Sequence, residues 1–190
     1  YVINSKITAT INTRFYSECH GMLSPYGAVI KYVGSATSDP MFYIPTAQHC
    51  VEFDGFYFDA NLLARTCVHF DTTTDSATHM PVLRNCYFVG YTSRGVILGG
   101  DSLSVINAGQ MQEVILERLS WRGGSYNAVG LLINAQNMEF AVSTGLYFDP
   151  NVGSEHSVHV YAYSGGFNVQ GLLTTRSTQC AVYGSGSQII

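Results

Sequence analysis

Apolar residues recur along this chain in short bursts of two to four, not on a helical stripe. Five segments superpose: Phe53-Asp-Gly-Phe-Tyr-Phe58, Leu83-Arg-Asn-Cys-Tyr-Phe88, Leu116-Glu-Arg-Leu-Ser-Trp121, Val142-Ser-Thr-Gly-Leu146 and Val169-Gln-Gly-Leu-Leu-Thr174. Most run apolar, polar, small or polar, apolar, variable, aromatic; the fourth fits only with a one-residue slip. Each is followed by a second short strand: Cys67–Phe70, Val96–Leu98, Val129–Ile133, Val158–Val160 and Cys180–Tyr183. In these, Val68 and Phe70, Val96 and Leu98, Val158 and Val160 point one way, while His69, Ile97 and His159 point the other.

The first strands begin at 53, 83, 116, 142 and 169, so the steps are 30, 33, 26 and 27 residues. A period in this range, with variability confined between strands, is the mark of a solenoid whose units bury their apolar faces only by stacking. The asparagine ladder and regular leucines of a leucine-rich repeat are missing. A β-sandwich would not require two strands to recur in one order with the same inward residues. The pattern therefore predicts an all-β fold, a single-stranded solenoid in one segment over 1–190. An opening coil covers about 1–50 and repeat coils about 51–190. The one helical feature expected is a single turn at Ala60–Arg65.

Composition narrows the function classes. The chain is 46% hydrophobic and 12% charged, against about 25% charged for ordinary soluble domains, so much of it is buried. The net charge is −4 with 9 Lys+Arg and no basic cluster, which argues against a nucleic-acid partner. No apolar run reaches the roughly 18 residues of a membrane helix. Five cysteines, widely spaced and without a CxxC, read as free thiols, with Cys67, Cys86 and Cys180 buried among strand residues. They form no disulfide framework or zinc site. His156 and His159 have a spacing seen in metal sites, but residues three apart on a strand face opposite sides. No metal or other cofactor is expected.

Outward residues of stacked coils form ladders with neighbours about 4.8 Å apart. One ladder reads Asp54, Arg84, Glu117, Ser143 and Gln170. With coils in register, Asp54 and Glu117 stand two rungs apart with Arg84 between them. That separation of about 9–10 Å is close to the carboxyl spacing of an inverting glycosidase. The competing reading is an alternating-charge ladder that solvates the face. Tyr57 and Tyr87 share an outward position and suit either a sugar face or a subunit interface. Trp121 aligns with Phe58 and Phe88 as a core stack. Asp71 and Asp75 lie in a Thr-rich loop. On the second strand His69, Ile97, Leu132, His159 and Ala181 form a stripe whose apolar members predict a contact surface, most simply with another copy.

Tyr1-Val-Ile-Asn-Ser-Lys-Ile-Thr8 and Gly27-Ala-Val-Ile-Lys-Tyr-Val-Gly34 resemble the first coil of the right-handed parallel β-helices of pectate-lyase-like and phage tailspike proteins. The Asp/Gly-rich cap and helix that usually precede that coil have no counterpart here. The segment is thus expected to lack its own end caps, with missing chain or other virion proteins at both ends. The resemblance implies a homotrimeric virion-tail spike, extracellular after assembly in a host cytoplasm, that recognises bacterial surface polysaccharide. Cleavage by a glycoside hydrolase (depolymerase) activity stays open, with Asp54, Arg84 and Glu117 as the catalytic candidates and Tyr57 and Tyr87 as substrate-binding ones. Two alternatives remain: a structural shaft of a virion or adhesin, and a bacterial lyase or pectinase of the same fold.

Overall fold

β-Branched and aromatic residues in period-two runs too short to bury themselves stack rung on rung, and every strand pair is parallel. The computed structural model describes residues 1–18, 28–72, 77–102, 109–125, 127–149, 156–160, 164–165, 170–174 and 180–184. Strands are numbered in chain order. One face is a seven-stranded sheet of β2 (Ile7–Thr8), β5 (Thr37–Ile44), β8 (Ala64–Phe70), β12 (Arg94–Gly99), β14 (Val129–Asn134), β16 (His156–Val160) and β19 (Cys180–Gly184). The rest of the wall is a twelve-stranded sheet. Its short strands are β1 (Val2–Ile3), β3 (Arg14–Tyr16), β4 (Ala28–Tyr32), β6 (Glu52–Asp54), β7 (Phe56–Asp59), β9 (Ala77–His79), β10 (Val82–Arg84), β11 (Tyr87–Val89), β17 (Ser164–Gly165) and β18 (Gln170–Thr174). They are joined through two long strands, β13 (Gln110–Arg122) and β15 (Asn137–Asp149). β13 runs round two corners, pairing with β9, then β10, then β11 along its length. The chain is a parallel β-solenoid, as the sequence predicts, with no helix among the described residues.

The core is a column of stacked rungs. Phe58 stacks on Phe88 at 5.4 Å, Phe88 on Trp121 at 5.2 Å and Trp121 on Phe148 at 4.2 Å between ring centroids. All four are essentially inaccessible. Each aromatic pair adds about 0.5–1.5 kcal/mol beyond its burial. Gly95 makes room for the largest ring: a Cβ there would collide with the Trp121 indole.

Two columns of left-handed corners turn the chain. Asn12, Cys50, Met80 and Glu113 form one, with φ between 52 and 55°. Gly55, Asn85, Arg118, Gly145 and Gly171 form the other, with φ between 51 and 85°. Glycine and asparagine adopt this conformation readily, and other residues at a cost of about 1–2 kcal/mol.

Several expectations are revised. Leu116 pairs with Ser143 and Glu117 with Thr144. The one-residue slip therefore places Ser143 inside the wall and Val142, 38% exposed, outside it. The ladder position belongs to Thr144, which in turn pairs with Gln170. In the seven-stranded sheet His159 pairs with Tyr183, so the rung position is Tyr183 and not Ala181. Ile97 and Leu132 point away from the core yet are buried within the chain, so these two members of the stripe offer no exposed apolar surface. Residues 60–65 do form a turn, closed by amide bonds from Leu63 and Ala64 to the Ala60 carbonyl. Asn61 and Leu62 have φ of 57 and 56°, so the turn is left-handed and not helical. Asp75, Glu155, Val169 and Cys19 lie outside the described residues.

Candidate functional site

The outward ladder of β3, β6, β10 and the middle of β13 carries the charged residues. Arg84 pairs in register with Asp54 on one side and Glu117 on the other, as the repeat alignment predicts. Its guanidinium bonds differently from the expected acid–base–acid line. Nη1 donates to Glu52 at 2.5 Å and Nε to Glu117 at 3.2 Å. Arg14 holds the other oxygen of Glu52 at 3.0 Å, and Arg118 holds the other oxygen of Glu117 at 3.3 Å. The result is a chain of alternating charge, Arg14–Glu52–Arg84–Glu117–Arg118. Exposure is greatest at its ends, with Arg14 78% and Arg118 53% accessible, and least at Glu52, at 13%. Ordering long side chains on an exposed surface returns little, but a network with partly buried members returns more.

Asp54 accepts a bond from the Asn85 amide at 2.6 Å. Asn85 is a left-handed corner residue, and that corner directs its side chain onto the preceding rung. Tyr16 pairs in register with Asp54, and Arg14 with Glu52. These four and Phe15 line a cavity of about 320 Å³, within the size range of small-ligand sites. Tyr16 is 63% exposed. A second, larger cavity of about 660 Å³ shares Arg14, Phe15 and Tyr16 and runs past Ile3, Ile30 and Phe42. Glu52, Arg14 and Tyr16 carry no signal in the repeat comparison, which begins at Phe53. A search one position upstream, or on the rung formed by Arg14–Tyr16, finds them.

Tyr57 and Tyr87 are rung partners and their rings stack at 4.7 Å, 13° from parallel. Tyr87 is buried in this stack and Tyr57 is half-buried. Burial, then the neighbouring Tyr87 and Asp59, push the Tyr57 hydroxyl's pKa up. The bond between Tyr87 and Arg122, followed by Asp149 at 3.3 Å, holds the Arg122 guanidinium more firmly charged.

A second polar cluster sits on the outer side of the seven-stranded sheet. Tyr43 donates to Asp71 at 2.5 Å, and His69 lies 4.0 Å from the same carboxylate. The His69 Nε2 is 2.8 Å from the Gly99 carbonyl, which fixes the tautomer with the proton on that nitrogen. Burial drives the His69 pKa down and, with the Asp71 contact, lifts that of Tyr43 to about 12. Asp71, which the sequence places in a Thr-rich loop, directly follows β8 as a buried acceptor. His69 and His159 stand three rungs apart, joined through Ile97 and Leu132.

Cys67 and Cys86 are buried free thiols, as expected, and Cys50 is a partly exposed one. Among the described residues no three His, Cys, Asp or Glu side chains form a ready metal cage. Comparison with protein-family models, with curated proteins and with solved structures gives no match.

Proposed function

We propose that this solenoid is the body of a spike-like receptor-binding protein, and that the outward ladder of β3, β6, β10 and β13 is its face for bacterial surface polysaccharide. The supporting observation is the cavity of about 320 Å³ where Tyr16 stands beside Asp54 and Glu52 on adjoining rungs. An exposed aromatic next to hydrogen-bonding carboxylates is the combination a sugar ring needs. The ring packs on its C–H face and the carboxylates accept from its hydroxyls. The ladder extends this chemistry along the solenoid, in keeping with a chain-like ligand. Homotrimer assembly and a place in a virion tail belong to the same reading and follow from the fold's resemblance alone.

The test is binding of defined oligosaccharides from bacterial surface polysaccharides, by calorimetry or a glycan array, to the parent chain and to Tyr16→Ala and Asp54→Asn. Loss of binding in both variants supports the reading. Binding unaffected by either sinks the site. Product analysis of the same mixtures separates the alternatives. A reducing end without unsaturation indicates hydrolysis, an unsaturated product a lyase, and intact glycan a binding-only face. Hydrolysis lost in Asp54→Asn and Glu117→Gln would make those two carboxyls the acid and base.

A further inference from the structure

We propose that the glycan met by this face is an acidic polysaccharide, and that the guanidinium groups of Arg14 and Arg118 hold its carboxylates; the inference rests on the binding face assigned above and names its substrate class. In a chain of net charge −4, this face shows arginine to solvent. Arg14 is 78% exposed against 13% for its partner Glu52, and Arg118 is 53% exposed against 31% for Glu117. Arg122, further along the same strand as Arg118, repeats the pattern at 60% against 9% for Asp149. The Lys6–Asp39 pair at the other sheet does the reverse, with the acid more exposed. Counting Asp54, the ladder from Arg14 to Arg118 holds three arginines and three acids. The sign that reaches solvent, and not the total, therefore selects the partner.

The geometry of the two arginines points the same way. Arg118 holds a left-handed corner at φ 51°, in a column whose other members are Gly55, Asn85, Gly145 and Gly171. Arginine is a costly choice for that conformation, and its exposed contact with Glu117 at 3.3 Å returns little. Arg14 meets Glu52 through Nε at 3.0 Å. Its two outer nitrogens are left as a fork that matches both oxygens of a carboxylate. Arg14 also lines both cavities beside Tyr16. Its rung position runs through Glu52 and Val82 to Ile115, three residues short of Arg118. The two arginines thus stand three rungs apart, roughly 14 Å along the axis. A single sugar does not span that distance, but a chain with recurring acidic units does. Glu113, an exposed acid of the same strand, holds the other corner column and marks the limit of the arginine face.

The probes are two forms of one bacterial surface oligosaccharide that contains glucuronic acid: the native form, and one with its carboxyl groups reduced to alcohols. Each is titrated into the full chain by calorimetry. The native form should bind about tenfold tighter, as expected of two exposed charge pairs, and the gap should shrink as sodium chloride rises. Arg14→Gln/Arg118→Gly should close it. Glycine stands at this corner in three other rungs, and Arg84 still holds Glu52 in the variant; circular dichroism checks that the solenoid persists. Equal affinity for the two forms, or binding of neutral glycans alone, overturns the acidic class; if Tyr16→Ala abolishes that binding, the glycan face itself stands. A gap that survives in the double variant overturns the two arginines as its source. No binding of either form, or of any neutral bacterial glycan, overturns the face and this inference with it.

Discussion

Replacing Ser143 by alanine removes a hydroxyl that is buried at the rung position of Leu116 and has no hydrogen-bond partner among the described residues. A hydroxyl buried without a partner costs about 1–3 kcal/mol in proteins. Alanine gives back only the packing of one atom, so Ser143→Ala should stabilise the chain by about 1 kcal/mol. For a chain of this size that raises the melting temperature by about 2–4 °C. Val142→Ala is the control. Val142 is 38% exposed, so its truncation should cost less than about 1 kcal/mol. A register shifted by one residue would invert both results, because the side-chain period is two. Val142 would then be the core residue, with a cost of about 2 kcal/mol or more, and Ser143→Ala would be neutral. Urea unfolding followed by Trp121, the single tryptophan, reads the same part of the wall. A destabilised Val142→Ala with an unchanged Ser143→Ala would refute the rung assignment and with it the ladder on which the proposed site rests.

Phe88→Ala empties the middle of the Phe58–Phe88–Trp121 stack. It should cost about 3–5 kcal/mol, with Trp121 fluorescence shifted toward that of a wet indole; an unchanged spectrum would argue against the column. Arg84→Met keeps the stem but leaves Glu52 to Arg14 and Glu117 to Arg118. It should lower stability by about 1–2 kcal/mol and blunt the response to sodium chloride, and equal stability and salt response in both proteins would deny the network. His69 has its folded pKa below the ordinary value near 6.5, chiefly through burial. The unfolded chain therefore binds the extra proton first. The stability this group contributes is whole above about pH 6.5 and is lost as pH falls through the folded pKa. His69→Phe should remove that acid-side slope in unfolding free energy, and a slope that persists would assign it elsewhere.

Much of the fold is legible because a solenoid writes each inward contact several times. Phe58, Phe88 and Trp121 lie at one position of three successive repeats, and the aromatic column follows from that alignment alone. Period-two alternation likewise assigns Val68, Phe70, Val96 and Leu98 to the inside. Legibility fails at two kinds of place. Where one repeat carries a polar residue inside, as Ser143 does, pattern matching prefers the neighbouring valine and slips. Left-handed corners fail differently. Gly55, Asn85, Gly145 and Gly171 announce themselves, but Arg118, Met80 and Cys50 adopt the same conformation without residues that favour it. The outward face of the seven-stranded sheet is illegible for another reason: alternation tells which side of a strand a residue takes, not what lies beyond it, and Ile97 and Leu132 are covered.

The candidate site shows the same division between position and environment. Repeat alignment places Asp54 and Glu117 on either side of Arg84, yet the two carboxylates live differently. Glu117 has both oxygens held by guanidinium groups, at 3.2 and 3.3 Å. Asp54 accepts a bond from the Asn85 amide and lines the cavity with Tyr16. A carboxylate that lines the cavity beside an exposed ring is placed to meet a ligand, whereas Glu117 lies outside that lining. The asymmetry comes from Glu52, which draws Arg84 away from its rung partner Asp54. An acid one position upstream of the repeat thereby decides which member of the ladder faces outward chemistry.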